Sequence, residues 1–301
     1  ADDMLTTTVM ACPCKKLIAP AMNTRMFENP ILQDNLEKCR HYGMDIIMPD
    51  SGRLACGDVG SGKLPSEEVL VAAILKEIRY EKDMQGLKVL VTAGATQEAI
   101  DPVRFISNHS TGKMGFALAK TAMQRGADVT VVAAHTSAKE PLYVNIRRVS
   151  SAADMFEACK EEAKTADIII KAAAVADYTP VETADNKIKK SDDTMAITCK
   201  RTQDILAYLG AHKPDGQFLC GFSMETEHML ENSQTKLIKK NVDMIVANNL
   251  KTKGAGFATD TNVVTLITKE EVKELPLMSK DEVANEILTQ ILQRRCPENG
   301  Q

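Results

Sequence analysis

A run of small hydroxyl residues, glycine and one lysine, Ser107-Asn108-His109-Ser110-Thr111-Gly112-Lys113-Met114-Gly115, stands where the apolar pattern predicts a helix start. Backbone N–H groups at such a start suit a phosphate group, and the same residues suit a plain N-capping loop; spacing leaves both readings open. Lys187-Ile188-Lys189-Lys190 and the trio Lys236, Lys239 and Lys240 add cations that fit either a phosphate site or a solvated face. Asp177 follows the apolar stretch 172–176, where a carboxylate can meet sugar hydroxyls or a magnesium ion, or simply form a turn. Two common nucleotide motifs fail. A dinucleotide site needs GxGxxG after its first strand and an acid ending the second, but Gly94 stands alone and the second strand ends Ala133-Ala134-His135. A P-loop needs GxxxxGK[ST], but Gly112-Lys113 is followed by Met114 and preceded, five positions back, by Ser107.

Those residues depend on the elements that carry them. Residues 88–93 read as an apolar strand, 114–124 as a helix closed by Gly126, 128–134 as a second strand, 152–163 as a helix and 167–172 as a third strand. Strands apolar throughout and separated by helices predict an α/β fold with a parallel sheet covered on both faces, and ligands bind beyond the carboxyl ends of such strands. Residues 262–268 and 272–277 alternate around a charged turn and predict a hairpin. Ser279-Lys280-Asp281-Glu282 is then a capping box for a last helix with Val283, Ile287 and Ile291 facing inward. Upstream the alternation is briefer. Residues 15–21 and 44–49 read as short buried strands, and Leu32, Leu36 and Cys39 share a helix face stopped by Gly43. A glycine-rich loop is expected over 51–63, then a helix capped by Ser66 with Leu70, Ile74 and Ile78 on one face. Residues 79–86 are charged and almost without apolar side chains, which reads as a linker. The expected division is 1–79, a linker over 80–86, a second domain over 87–296 and a tail over 297–301.

Composition limits the function classes. The 301 residues are 44% hydrophobic and 26% charged, enough apolar content for a sizeable core. A net charge of −4, from 37 Lys+Arg and 41 Asp+Glu, argues against a nucleic-acid partner. No apolar run approaches the ~18–20 residues that cross a bilayer, and the chain opens Ala1-Asp2-Asp3 instead of a basic leader, so no membrane partner is expected. The missing initiator Met points to a processed, truncated or partial chain. Eight cysteines without a CxxC pair read as free thiols in a reducing cytoplasm, with neither disulfides nor a structural zinc expected.

Several longer motifs, taken in order, resemble the bacterial bifunctional phosphopantothenoylcysteine decarboxylase/phosphopantothenate–cysteine ligase family of coenzyme A synthesis. In the ligase half they are the stretch 91–115, which includes Arg104 and Asn108, then 172–178, Lys187-Ile188-Lys189-Lys190, and Gly221-Phe222 followed by Lys236 and Lys240. In the decarboxylase half they are Pro20-Ala21-Met22-Asn23-Thr24-Arg25-Met26, a substrate motif, and residues 54–62 around Cys56, a cysteine-bearing flap. The resemblance implies a Rossmann-like ligase domain preceded by a partial flavodoxin-like flavoprotein domain, whose first half, with the family's catalytic His, is missing.

It further implies that the carboxylate of 4′-phosphopantothenate attacks the α-phosphorus of CTP, with Mg2+ present, and that cysteine's amine then displaces CMP from the acyl-cytidylate. By that likeness Lys187 steadies the phosphate and assists the first step, while Asn108 and Arg104 hold the intermediate. Lys171, Ala172, Ala173 and Asp177 hold the nucleotide, and Phe222, Lys236 and Lys240 close over it. Thr202, Gln203, Asp204 and Ile205 stand against the base where relatives have Asn-Pro-Asp-Ile, a visible departure. Asn23 and Met26 grip the decarboxylase substrate and Cys56 assists reduction of the enethiol. FMN supplies the electron sink in the longer protein and is not expected on this chain, which is therefore expected not to decarboxylate. A homodimer through the ligase domain is also expected. The rival readings are an NAD-type reductase and a non-catalytic flavoprotein-like regulatory subunit; pyrophosphate release separates them.

Overall fold

Ile168, Ile169 and Ile170 lie in the middle of a sheet, and side-chain alternation sends the first and third into one core layer and the second into the other. All three are fully buried, and each such side chain contributes about 1.5–3 kcal/mol to folding. The computed structural model describes residues 2–54, 57–189, 194–224, 229–248 and 259–295. The chain divides into two units, Ala1–Tyr80 and Glu81–Gln301. Among the described residues, no helix is long and apolar enough to cross a membrane.

The second unit holds an eight-stranded sheet in the order Val272–Glu274, Val264–Ile267, Met244–Asn248, Phe218–Met224, Ile168–Lys171, Lys88–Ala93, Asp128–Ala133, Asn145–Arg148. The last six are parallel to one another, and the first two form the expected antiparallel hairpin at one edge. The chain starts at Lys88–Ala93, runs outward to one edge, and returns to continue from Ile168–Lys171 to the other. This reversal places a topological switch point between those two strands. The Lys113–Gln124 and Lys280–Arg295 helices cover one face, the latter through Val283, Ile287 and Ile291. The Ala152–Glu162, Ile205–Ala211 and Met229–Lys239 helices cover the other through Met155, Phe156, Leu209 and Leu237. The capping box at the last helix forms: the Ser279 N–H donates to Glu282 Oε2 (2.8 Å) and the Glu282 N–H to Ser279 Oγ (3.3 Å).

Residues 81–86, read as linker, pack on the second unit. Met84 is fully buried in its core, and Asp83 pairs with Arg125. A single apolar residue among charges gave too little signal to reveal this.

The first unit is smaller. Leu17–Ile18 and Asp45–Ile46 form a parallel pair shorter than the expected strands, and the pair is half-buried where buried strands were expected. The Pro30–His41 helix ends before Gly43, whose φ of +79° suits a glycine. The expected glycine-rich loop is instead an antiparallel hairpin, Asp50–Arg53 with Val59–Lys63. Ser66 caps the Glu67–Ile78 helix as expected, but its buried residue is Ala73, while Ile74 and Ile78 are exposed.

Candidate functional site

The Lys88–Ala93 strand ends in a turn that ties three loops together. At Gly94, with φ +85°, a Cβ would lie 2.4 Å from the His135 carbonyl oxygen, so only glycine fits. The Ala95 N–H donates to the His135 carbonyl (2.9 Å) and the Thr96 N–H to the Ala174 carbonyl (3.3 Å). Two buried hydroxyls complete the clip: Thr92 Oγ1 accepts from the Ala173 N–H (3.0 Å) and Thr96 Oγ1 from the Ala176 N–H (2.9 Å). This fixes residues 172–177 at the switch point.

Opposite them begins the Lys113–Gln124 helix. Its N-cap is Gly112, φ +80°, which lends no side chain to the helix N–H groups. Gly115 lets the helix approach the strand: a Cβ there would meet the Ala93 Cβ at 2.7 Å and the Thr92 carbonyl oxygen at 2.9 Å. Between the helix start and the 172–177 loop lies a cavity of about 530 Å³. Asn108 through Gly115, Ala172 through Val175, Asp177, Phe222 and Ser223 line it. The Asn108 amide reaches the Ala174 carbonyl (3.4 Å).

A further cavity residue comes from far along the chain. Lys280, at the start of the last helix, is buried beside Lys113; burial and that neighbouring charge lower its pKa. Lys113 itself pairs with Asp260 (2.7 Å) and holds that carboxyl below its ordinary range. A helix N-terminus with two lysines beside it favours a phosphorylated ligand. Nothing in the local sequence around Lys280 announced this, since only the sheet brings the last helix to the first.

Arg104 and Lys187 do not line this cavity. The buried Asp101 carboxylate accepts from Arg104 Nε (3.0 Å) and Nη2 (2.5 Å) and from the Val103, Arg104 and Ile188 N–H groups (2.9, 2.9 and 3.1 Å). Arg104 Nη2 also donates to the Ile188 carbonyl (3.0 Å). The Arg104 guanidinium, with these N–H groups, holds the Asp101 carboxyl well below the usual carboxylate range. The pair thus anchors the segment carrying Lys187, whose own side chain is exposed. Asp101 was missed in the sequence; its spacing from Arg104 within a turn was the available signal. Lys190 lies outside the described residues.

The remaining nucleotide candidates gather around a second cavity, of about 560 Å³, lined by Asp204, Ala207, Asn232, Thr235, Lys236, Lys239 and Lys240. Asp204 caps the Ile205–Ala211 helix through the Ala207 N–H (3.0 Å) and pairs with Lys240 (2.7 Å). Ile205 is a core residue, and Gln203 is exposed. Thr202 joins the two regions: its N–H donates to the Asp177 carbonyl (3.0 Å) and its hydroxyl to the Ala176 carbonyl (2.7 Å). Lys236 Nζ donates to Ser223 Oγ (3.3 Å), a residue of the first cavity. The Lys171 side chain is buried away from the first cavity, and its ammonium has no hydrogen-bond partner among the described residues. Burial lowers its pKa, against the attraction of Asp204.

In the first unit Asn23 caps a short helix by accepting from the Arg25 N–H (2.9 Å), and its amide donates to Asp58 Oδ2 (3.3 Å). The hairpin closes on this motif, the Met22 N–H donating to the Gly62 carbonyl (2.9 Å) and Thr24 Oγ1 to the Ser61 carbonyl (2.8 Å). Met26 is exposed, and Cys56 lies outside the described residues.

Against known proteins, the family described as DNA/pantothenate metabolism flavoprotein C-terminal domain matches residues 84–294, and the Flavoprotein family matches residues 1–79. The coenzyme A biosynthesis bifunctional protein CoaBC of Bacillus subtilis (strain 168) is 46% identical over 295 residues, 97% of this chain and 72% of that protein. The protein of the same name from Vibrio vulnificus (strain YJ016) is 42% identical over 292 residues, 96% of this chain and 73% of its own. The crystal structure of the C-terminal domain of a CoaBC protein is 44% identical with a TM-score of 0.60, covering 70% of this chain and 96% of that one. By these likenesses the chain belongs to the CoaBC family of bifunctional proteins of coenzyme A biosynthesis.

Proposed function

We propose that the second unit joins 4′-phosphopantothenate to cysteine at the expense of CTP. The observation that carries this reading is the cavity at the switch point, where a helix N-terminus, Lys113 and Lys280 face Asn108 and Asp177. The acid's carboxylate attacks the α-phosphorus of CTP, pyrophosphate leaves, and cysteine's amine then displaces CMP from the acyl-cytidylate. Such chemistry is mostly positioning and charge neutralisation, so backbone N–H groups and lysines suffice for much of it. Asn108 donates its amide to the acyl carbonyl, and Asp177 accepts from the ribose. Lys187, on the segment held by the Asp101–Arg104 anchor, steadies the phosphate. Phe222, Lys236 and Lys240 complete the nucleotide side, with the backbone at residues 171–173 and 202–205.

Among the described residues no group of three or more His, Cys, Asp or Glu side chains comes together to hold a metal. A magnesium ion would therefore be held chiefly by the triphosphate, with Asp177 the carboxylate of the cavity lining, and would neutralise phosphate charge. In the family FMN supplies the electron sink for the decarboxylation that follows. The described residues of the first unit bury few apolar side chains, Phe27, Leu36 and Ala73, which does not fit a shielded flavin ring, so the chain is expected not to carry that step.

The test is pyrophosphate release from CTP with and without phosphopantothenate and cysteine, with ATP in parallel. Amide product at the level of a Lys187→Ala control would end this reading. Asn108→Asp should slow turnover with CTP affinity nearly unchanged, because a negative charge beside a phosphodiester is repulsive. Loss of CTP affinity with an intact rate per bound complex would make Asn108 a binding residue only.

A further inference from the structure

Outside both cavities, two thiols of the first unit lie side by side. The Met4–Ala11 helix ends at Cys12, whose N–H donates to the Thr8 carbonyl (2.9 Å) and whose backbone is extended at φ −76° and ψ 123°. Pro13 follows and fixes the turn. Lys16 Nζ donates to the carbonyls of Cys12 (2.7 Å) and Cys14 (3.3 Å), folding the loop around one ammonium. The two Sγ atoms are thereby 2.9 Å apart. Cys12 is half-buried and Cys14 exposed.

We propose that Cys12 and Cys14 form a redox-active dithiol, oxidised reversibly to an intrachain disulfide by a small-molecule disulfide. The thiols need to approach by less than about 1 Å to reach a bond of about 2.05 Å. The Lys16 ammonium, held on both carbonyls, favours a thiolate on this loop. Either thiol can attack a dissolved disulfide, and the other, 2.9 Å away, then resolves the mixed disulfide. No further His, Cys, Asp or Glu joins them among the described residues, so the pair falls short of the ligand set a zinc ion takes.

One thiolate of the pair attacks one sulfur of the disulfide R–S–S–R, forming a mixed disulfide Cys–S–S–R and expelling R–S⁻. The other thiol gives its proton to solvent and attacks the cysteine sulfur of that mixed disulfide, releasing the second R–S⁻. The two electrons lost by the pair reduce one disulfide to two thiols.

The test incubates the chain with glutathione disulfide and reduced glutathione at graded ratios, traps free thiols with iodoacetamide, and reads the peptide carrying residues 12 and 14 by mass spectrometry. The expected result is a Cys12–Cys14 disulfide, reversed by dithiothreitol. Cys14→Ser should stall with glutathione on Cys12. Cys12→Ser should likewise stall with glutathione on Cys14. Both thiols alkylated at every ratio, a persistent glutathione adduct on the unmodified sequence, or a bond from either residue to another cysteine would overturn the proposal.

Discussion

The two units each carry motifs of the family and hold them in different ways. In the second, Thr92, Gly94 and Thr96 stand at the end of a strand whose middle is fully buried and Gly115 at the helix start packed on it, so the candidate residues inherit the rigidity of a two-sided core. In the first, the Asn23 motif is held by a hairpin through hydrogen bonds, over a core in which Ile74 and Ile78 of the neighbouring helix remain exposed. A motif placed on a packed sheet resists local change, whereas one placed by hydrogen bonds is lost with a single partner.

The largest effect should come from the sheet itself. Ile169→Ala removes a fully buried side chain and should cost the second unit about 2–5 kcal/mol. Urea unfolding should show it, while amide exchange at residues 17–62 stays unchanged. Equal loss in both units would erase the contrast.

Asp101→Asn tests whether the second unit's precision extends to its loops. The substitution should speed hydrogen exchange at the Ile188 N–H and slow ligation by up to about a hundredfold, since a misplacement of ~1 Å suffices. Because the Asp101 carboxyl titrates below its ordinary range, the stability it adds is present above the usual aspartate pKa of about 3.9 and lost as pH falls below that value. The variant should lack that acid-side loss.

Lys171→Met replaces the buried, unpartnered ammonium with an apolar side chain of similar length. Thermal stability should hold or rise, and CTP affinity should stay within about twofold, because the side chain lines neither cavity. Because its pKa is lowered in the folded state, the unfolded chain binds more protons, and stability should rise with pH toward the ordinary lysine value of 10.5. That slope should vanish in the variant.

The smallest effect belongs to the first unit. Asn23→Ala removes a helix cap and the amide contact to Asp58, costing about 0.5–2 kcal/mol. Exchange should quicken over residues 22–28 and nowhere in the sheet.

Much of this architecture was legible because local rules sufficed. The strands at 88–93 and 128–133, the Gly126 stop and the Ser279–Glu282 box follow from periodicity and capping, which act between residues close in sequence. The hairpin at 50–63 was missed because its glycines mask strand alternation, and Met84 because one apolar residue among charges carries no period.

By itself the sequence determined the parallel sheet of the second unit, a helix starting near residue 114 and the ordered motifs that identify the family. Only the tertiary structure decided that Lys280 joins Lys113, that Arg104 serves Asp101 and the Ile188 carbonyl, and that Asp177 and Phe222 line one cavity while Asp204, Lys236 and Lys240 line another. The reason is range. Capping and periodicity are written within a few residues, whereas a site at a switch point is built from strand ends and helix starts that meet only when the sheet closes its order.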